Sequence, residues 1–374
     1  MAAYATSPLT DFMFYKAGCA GIPLSGTFEL TPLCNFSCRM CYVRKTAEEV
    51  RKSGRPLRTL EQWLNLAGEA RDAGMLYLLL TGGEPTAWSE FWDLYEELIS
   101  MGLLVSVNTN GSLLNDDAVR RLTRLPPRRV NITLYGAGDE TYETLCQAKN
   151  MFSVVDRSIR RLKEAGIAVK LNCSLTPANA EDLEKLVTYA QEQELILDIA
   201  TYMFPPLRRD RTMTGQNERF TPQQSAYYRL KAYRLQYGEE KYEVFLQKIR
   251  EGSVPPPGLE EGCTDPLDGK IRCRAGKSSF WATWDGYMSP CGMMPEPRVE
   301  YREGAFREAW KELMRVSGKI RLSGVCGSCL NQELCHSCAA MAQTETGNFS
   351  GIPSYLCEMA EEMRRLAETA GEMR

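Results

Sequence analysis

Thr31-Pro-Leu-Cys34-Asn-Phe-Ser-Cys38-Arg-Met-Cys41-Tyr42 sets three cysteines at C-x3-C-x2-C spacing, just after Phe28-Glu29-Leu30 and ahead of a charged helical run. Thiolates are soft ligands that select zinc or iron–sulfur clusters. A four-iron cluster takes four ligands and this stretch offers three, which leaves one iron open to a ligand that is not protein. The same sulfurs with a distant fourth ligand would make a zinc knuckle. The triplet alone leaves both readings open.

The rest of the composition narrows the chemistry. The chain has 374 residues, enough for one large domain and a smaller one. With 44% hydrophobic and 25% charged residues it reads as a soluble globular protein. A formal charge of −3 gives no basic footprint for nucleic acid. Nothing resembles a signal peptide, and no run reaches the ~18 apolar residues of a membrane span, so a cytoplasmic protein with no membrane partner is expected. In that setting 14 cysteines read as metal ligands rather than disulfides. The single histidine, His336, leaves almost no material for imidazole sites or Ser–His catalysis.

Strand and helix patterns alternate from residue 26. Strand-like runs fall at 27–30, 76–80, 103–108, 130–134, 169–175 and 196–203, with helix-like segments near 59–73, 89–101, 115–124, 151–165 and 179–192. Ser89 reads as a helix start, and Gly74, Gly102 and Gly166 as left-handed caps before the next strand. Such repeats imply an α/β fold with a parallel sheet and right-handed crossovers. The expected form is a partial (β/α)6 barrel over 26–204, with its chemistry on loops at the carboxyl ends of the strands. Residues 1–25 read as a lead-in without periodicity, and 205–262 as a linker with a helical insert near 222–250. Residues 263–357 form a cysteine-rich unit of little regular periodicity, and 358–374 a C-terminal helix. Eight cysteines in that unit suggest dependence on metals rather than on a large apolar core.

A second motif, Leu78-Leu-Leu-Thr81-Gly82-Gly83-Glu84-Pro85, ends an apolar strand in two glycines and a carboxylate. The glycines let backbone approach a ligand closely. With Cys34, Cys38 and Cys41 in this order, residues 26–204 resemble the radical S-adenosylmethionine (SAM) enzymes. In that family SAM chelates the open iron, and reductive cleavage yields a 5′-deoxyadenosyl radical that abstracts a substrate hydrogen. The resemblance implies SAM contacts at Gly82, Gly83, Glu84 and Pro85. It also implies them at Asn108 in Asn108-Thr109-Asn110-Gly111, at Thr133 near Gly136, and at Asn172. Met40 stands where the family often has an aromatic residue against adenine, with Tyr42 next to it.

The remaining cysteines extend the resemblance. Cys273-x12-Gly286-x4-Cys291, then Cys326-x2-Cys329-x5-Cys335-x2-Cys338 and Cys357, resemble a SPASM domain, the auxiliary-cluster extension of radical SAM peptide and protein maturases. The spacing before Cys338 is one residue shorter than usual. By that analogy Cys263, Cys273, Cys291 and Cys338 hold one cluster, and Cys326, Cys329, Cys335 and Cys357 another. That makes three 4Fe-4S clusters in all; two structural zinc sites are the competing reading. Cys19, Cys146 and Cys173 read as small buried hydrophobes, with Cys173 of interest because its strand ends at the active face. Arg208, Arg209 and Arg211 follow the sixth strand and suit a carboxylate-bearing substrate.

The resemblance implies a peptide-modifying oxidoreductase acting on a ribosomally made peptide by crosslinking, thioether formation, epimerisation or oxidation. Its catalytic acid or base is not identified. A low-potential donor, flavodoxin or ferredoxin, is implied, and with only 33 residues before Cys34 a separate leader-binding protein is expected. Sulfatase-maturing enzymes carry an aspartate base where this chain has Gly292, with Asp285 and Glu296 nearby. A small-molecule radical SAM dehydrogenase is a further alternative.

Overall fold

The computed structural model describes residues 8–205, 219–252, 269–271, 273–294, 296–327 and 329–372. Arg208, Arg209, Arg211 and Cys263 lie outside the described residues. The chain opens with α1 (Pro8–Ala20) and β1 (Ser25–Glu29), and after the cysteine loop come α2 (Ala47–Lys52) and α3 (Leu60–Asp72). The alternation continues through β2 (Tyr77–Thr81), α4 (Phe91–Ser100), β3 (Leu104–Thr109), α5 (Asp116–Arg124) and β4 (Arg129–Thr133). Next are α6 (Asp139–Cys146), α7 (Met151–Glu164), β5 (Val169–Ser174), α8 (Leu183–Glu192) and β6 (Ile196–Ala200). Then follow α9 (Pro222–Glu251), β7 (Ser279–Ala282), β8 (Tyr287–Ser289), β9 (Val299–Glu300) and α10 (Phe306–Ser317). Two single-turn helices, α11 (Gly324–Gly327) and α12 (Gln332–Cys335), precede α13 (Ala339–Thr346) and α14 (Ser354–Glu372).

One nine-stranded sheet runs in the order β6-β5-β4-β3-β2-β1-β7-β8-β9. The first seven strands in that order are parallel to their neighbours, and β8 and β9 pair antiparallel. Alternate residues face opposite sides of a strand. Phe28, Leu78, Leu80, Val105, Val107, Val130, Ile132 and Leu171 form the layer packed against the helices, where Phe28 stacks on Trp63 at 4.9 Å. Each fully buried apolar side chain of this kind contributes roughly 1.5–3 kcal/mol. The opposite face carries Thr27, Glu29, Thr81, Ser106, Asn108, Asn131, Thr133, Asn172 and Ser174.

Helix starts follow from local chemistry. Thr46, Thr59 and Thr221 form capping boxes with Glu49, Gln62 and Gln224, and Asn115 accepts from the Ala118 N–H. Each such cap contributes about 1 kcal/mol. Gly74, Gly102 and Gly166 all take positive φ, as expected before a strand. Ser89 does not cap α4; Glu90 stands at that position with no side-chain hydrogen bond.

The structure adds to the sequence reading at four points. The lead-in contains α1, which buries only Phe14 and Ala17 and so carries no amphipathic stripe to read. The helix α6, between the fourth strand and α7, had no sequence counterpart. The insert helix α9 is interrupted at Gly238, where φ is 79°. The cysteine-rich unit is not coreless: Phe280, Ala282, Met288, Phe306, Trp310 and Leu313 join the barrel core, and β7 extends the barrel sheet along β1. Among the described residues, no helix is long and apolar enough to cross a membrane.

Candidate active site

The cysteine loop leaves the carboxyl end of β1 and is held on both sides by backbone. Ser37 and Arg39 donate to the carbonyls of Cys146 and Leu145, the last two residues of α6, each at 3.0 Å. On the other side, Gly83 and Glu84 donate to the carbonyls of Thr31 and Leu33 at 2.6 and 2.9 Å. A Cβ at Gly83 would stand 2.2 Å from the Leu33 oxygen, and one at Gly82 2.4 Å from the Thr31 oxygen. Close approach does require these glycines, but what they approach is the cysteine loop itself.

Glu84 is fully buried and its carboxylate is used inside the protein. Oε1 accepts from the Thr86 N–H, the Thr86 hydroxyl and the Thr109 hydroxyl at 3.1, 2.5 and 2.7 Å; Oε2 accepts from the Asn110 N–H at 2.7 Å. Burial pushes its pKa above the usual carboxylate range, against the pull of these donors. Asn110 continues the chain of contacts: its amide donates to Asn35 at 2.9 Å and lies 3.8 Å from Cys34 Sγ. Asn110 as a link to the cysteine loop was not legible from sequence, although it stands two residues from Asn108.

The three thiols share one small volume and influence one another electrostatically. Cys34 Sγ accepts from the Phe36 N–H and Cys41 Sγ from the Arg44 N–H, both at 3.3 Å. Burial pushes the Cys34 thiol up to about 12. Cys38 is held below its ordinary value, first by a hydrogen bond with Cys146 and then by one with Tyr135, while Cys146 is pushed up. Backbone N–H groups aimed at sulfur suit thiolates that carry negative charge onto a metal. Together with Cys38, Cys34 and Cys41 are the thiols on the loop that could ligate a four-iron cluster.

The other sequence candidates divide by face. Asn108, Thr133 and Asn172 stand half-buried on the concave side, with Asn108 paired to Asn131 at 2.7 Å and Thr133 in register with Asn172. Pro85 is buried, Met40 lies in the apolar core, and Tyr42 is half-buried. Cys173 faces the helix layer and not the cavity, and its thiol is pushed up to about 12 by burial. Cys146 is buried as expected, but Cys19 is exposed on α1, contrary to the sequence reading.

The C-terminal cysteines gather in two places. Cys335 and Cys357 feel the charges of Cys326 and Cys329, and Cys338 feels that of Cys273. Cys338 and Cys291 also pack on the same apolar cluster, around Ile271, Met294 and Ile320. His336 lies beside Arg229, and burial together with that charge depresses its pKa to about 3. Among the described residues no three Cys, His, Asp or Glu side chains converge on a point that a single ion could occupy. Gly292 has a physical reason: a Cβ there would meet the Trp281 ring at 2.6 Å, and Trp281 donates its indole N–H to Glu29 at 2.9 Å. Glu29 and Trp281 were not singled out from sequence. The signal available was an acid set between Phe28 and Leu30.

Known proteins resemble this chain in sequence and in fold. Residues 28–190 match the radical SAM superfamily model. The AdoMet-dependent heme synthase of Methanosarcina barkeri is 25% identical over 334 residues, covering 86% of this chain and 93% of the relative. The mycofactocin maturase MftC of Mycolicibacterium smegmatis is 24% identical over 332 residues, covering 87% and 80%. Streptococcus suis SuiB, solved bound to its precursor peptide SuiA, superposes with a TM-score of 0.64 at 16% identity, covering 93% of this chain and 79% of that one. Residues 28–190 therefore form a radical SAM domain, and the chain, which continues past it, is an enzyme.

Proposed function

We propose that this enzyme modifies a ribosomally made peptide, with Cys34, Cys38 and Cys41 as ligands of a SAM-binding 4Fe-4S cluster. The observation that carries the reading is the cysteine loop, clamped between the Gly82-Gly83 backbone and the end of α6. The bound cluster and SAM supply a 5′-deoxyadenosyl radical. The chain's own residues orient that chemistry: the Phe36 and Arg44 N–H groups steady the thiolates, and Asn110 ties the Cys34 side of the loop to the end of β3. Asn108, Thr133 and Asn172 supply hydrogen-bonding groups for SAM on the concave face.

Auxiliary 4Fe-4S clusters are assigned to Cys273, Cys291 and Cys338 with Cys263, and to Cys326, Cys329, Cys335 and Cys357. The two gatherings of thiols support that division. Flavodoxin or ferredoxin serves as electron donor. The peptide substrate is supported by the mycofactocin maturase relative. A sulfatase-type maturase is disfavoured, since the Trp281 ring closes position 292 to an aspartate side chain. Oxidation of a small molecule is the second reading, supported by the heme synthase relative and its coverage of 93%.

The test is SAM cleavage by the reduced, anaerobically reconstituted enzyme against metabolite, peptide and protein fractions of a host grown on deuterated amino acids. Deuterium should enter 5′-deoxyadenosine from the peptide fraction; label from metabolites alone would replace the peptide reading with the second one. Replacing Cys34, Cys38 and Cys41 with alanine should abolish SAM cleavage and leave about two-thirds of the iron, one cluster of three being lost. Cleavage by that variant would overturn the assignment.

A further inference from the structure

Between the cysteine loop and the β7–β8 hairpin lies a cavity of about 220 Å3. Its walls include Glu29 and Lys45 on the barrel side and Trp284, Asp285, Tyr287 and Arg298 on the hairpin side. Four of these carry charge, and three of the four have partners. Glu29 is almost wholly buried and accepts from Trp281 at 2.9 Å. Asp285 accepts from the Thr283 hydroxyl at 2.5 Å and stands 3.9 Å from Arg298. Arg298 also pairs with Glu296 at 3.2 Å and lies over the Tyr287 ring at 4.0 Å.

Lys45 differs from the other three. Its backbone N–H is fixed by the Pro32 carbonyl at 2.9 Å, so its Cα is anchored to the cysteine loop. Its side chain is half-buried and lines the cavity, and among the described residues it forms no ion pair. An ammonium withdrawn partly from water and outside ion-pair distance of a carboxylate gains more from an incoming anion than one in bulk solvent does. The Trp284 side chain on the cavity wall offers apolar cover for the methylenes that carry such an anion.

We propose that this cavity is a substrate subsite for a carboxylate, gripped by Lys45, and that the carboxylate belongs to an acidic side chain of the peptide. The peptide source rests on the function proposed above; the carboxylate chemistry rests on the cavity. Size favours a side chain: pockets for whole drug-sized ligands run about 300–1,000 Å3, and this one is smaller. Location does too, because the subsite adjoins both the cysteine loop and the Cys291 segment, through Lys45 and Met294. A substrate held there presents its neighbouring residues along the seam between the two groups of thiols.

The test is calorimetric titration of the reconstituted, SAM-loaded full chain with acetyl-Gly-Glu-Gly-amide, acetyl-Gly-Gln-Gly-amide and glutarate. The Glu peptide should bind about tenfold more tightly than the Gln peptide, as expected for one charge-assisted hydrogen bond. Lys45→Gln should erase that preference and Lys45→Arg should keep it, with iron content and melting temperature confirming that both variants fold. Equal binding of the two peptides, absence of binding, or a preference that survives Lys45→Gln would overturn the subsite. Glutarate binding as tightly as the Glu peptide, and lost in Lys45→Gln, would support the carboxylate site and overturn its peptide source. SAM cleavage by the unmodified enzyme without any of these probes scores the radical assignment separately.

Discussion

Glu84 Oε2 accepts the backbone N–H of Asn110 at 2.7 Å, joining the end of β2 to the end of β3 directly beneath the cysteine loop. Because the Asn110 amide in turn reaches Asn35 and approaches Cys34, the carboxylate of the Gly-Gly-Glu-Pro turn acts on the thiols through one intervening residue. Glu84→Ala should therefore strand the buried N–H groups of Asn110 and Thr86. The cost is about 1–3 kcal/mol for each orphaned donor, read by chemical denaturation. Iron retained by the reconstituted protein should fall with it.

The same carboxyl gives a pH signature. Burial raises its folded pKa, so its contribution to stability is fully present below the unfolded value and is lost as the pH rises through the folded one. The stability advantage of the wild type over Glu84→Gln, which does not titrate, should shrink as the pH rises above the ordinary glutamate range. Melting curves of both proteins through and above that range check the sign; an advantage that grows with pH would show the four donors outweighing burial.

Gly83 is irreplaceable for a steric reason. A Cβ there meets the Leu33 carbonyl, which is backbone and cannot swing away. Gly83→Ala should cost about 1–3 kcal/mol and displace the loop that carries Cys34, lowering iron loading. Gly68, within α3, has open space around a Cβ, so Gly68→Ala should gain about 0.5–1 kcal/mol and leave iron content unchanged.

The C-terminal unit is docked by a cap supplied from another helix. Glu69 on α3 accepts from the Tyr301 hydroxyl and from the N–H groups of Gly304 and Phe306 at 2.9 Å, whereas Ala305 gives α10 no side-chain cap of its own. Glu69→Ala should cost about 1–3 kcal/mol. Amide exchange should quicken in α10 well before it does in β1 or β2.

The alternating strands and helices, the capping threonines and the spacing of Cys34, Cys38 and Cys41 are local properties, and the sequence by itself determined them. Periodicity of two or 3.6 residues and the preference of Thr or Gly for a cap act within a few positions along the chain. The partners of those residues were decided only by the tertiary structure. Gly82 and Gly83 serve backbone contacts with Thr31 and Leu33, Glu84 serves Asn110, and Gly292 serves the Trp281 ring, across separations of 11 to 51 positions. The joining of β7 to β1, and with it the cavity beside Lys45, arises the same way. A short strand such as Ser279–Ala282 has too little pattern to announce its neighbour, and sheet pairing is chosen by which apolar faces, here Phe280 against Phe28 and Phe306, can be buried together.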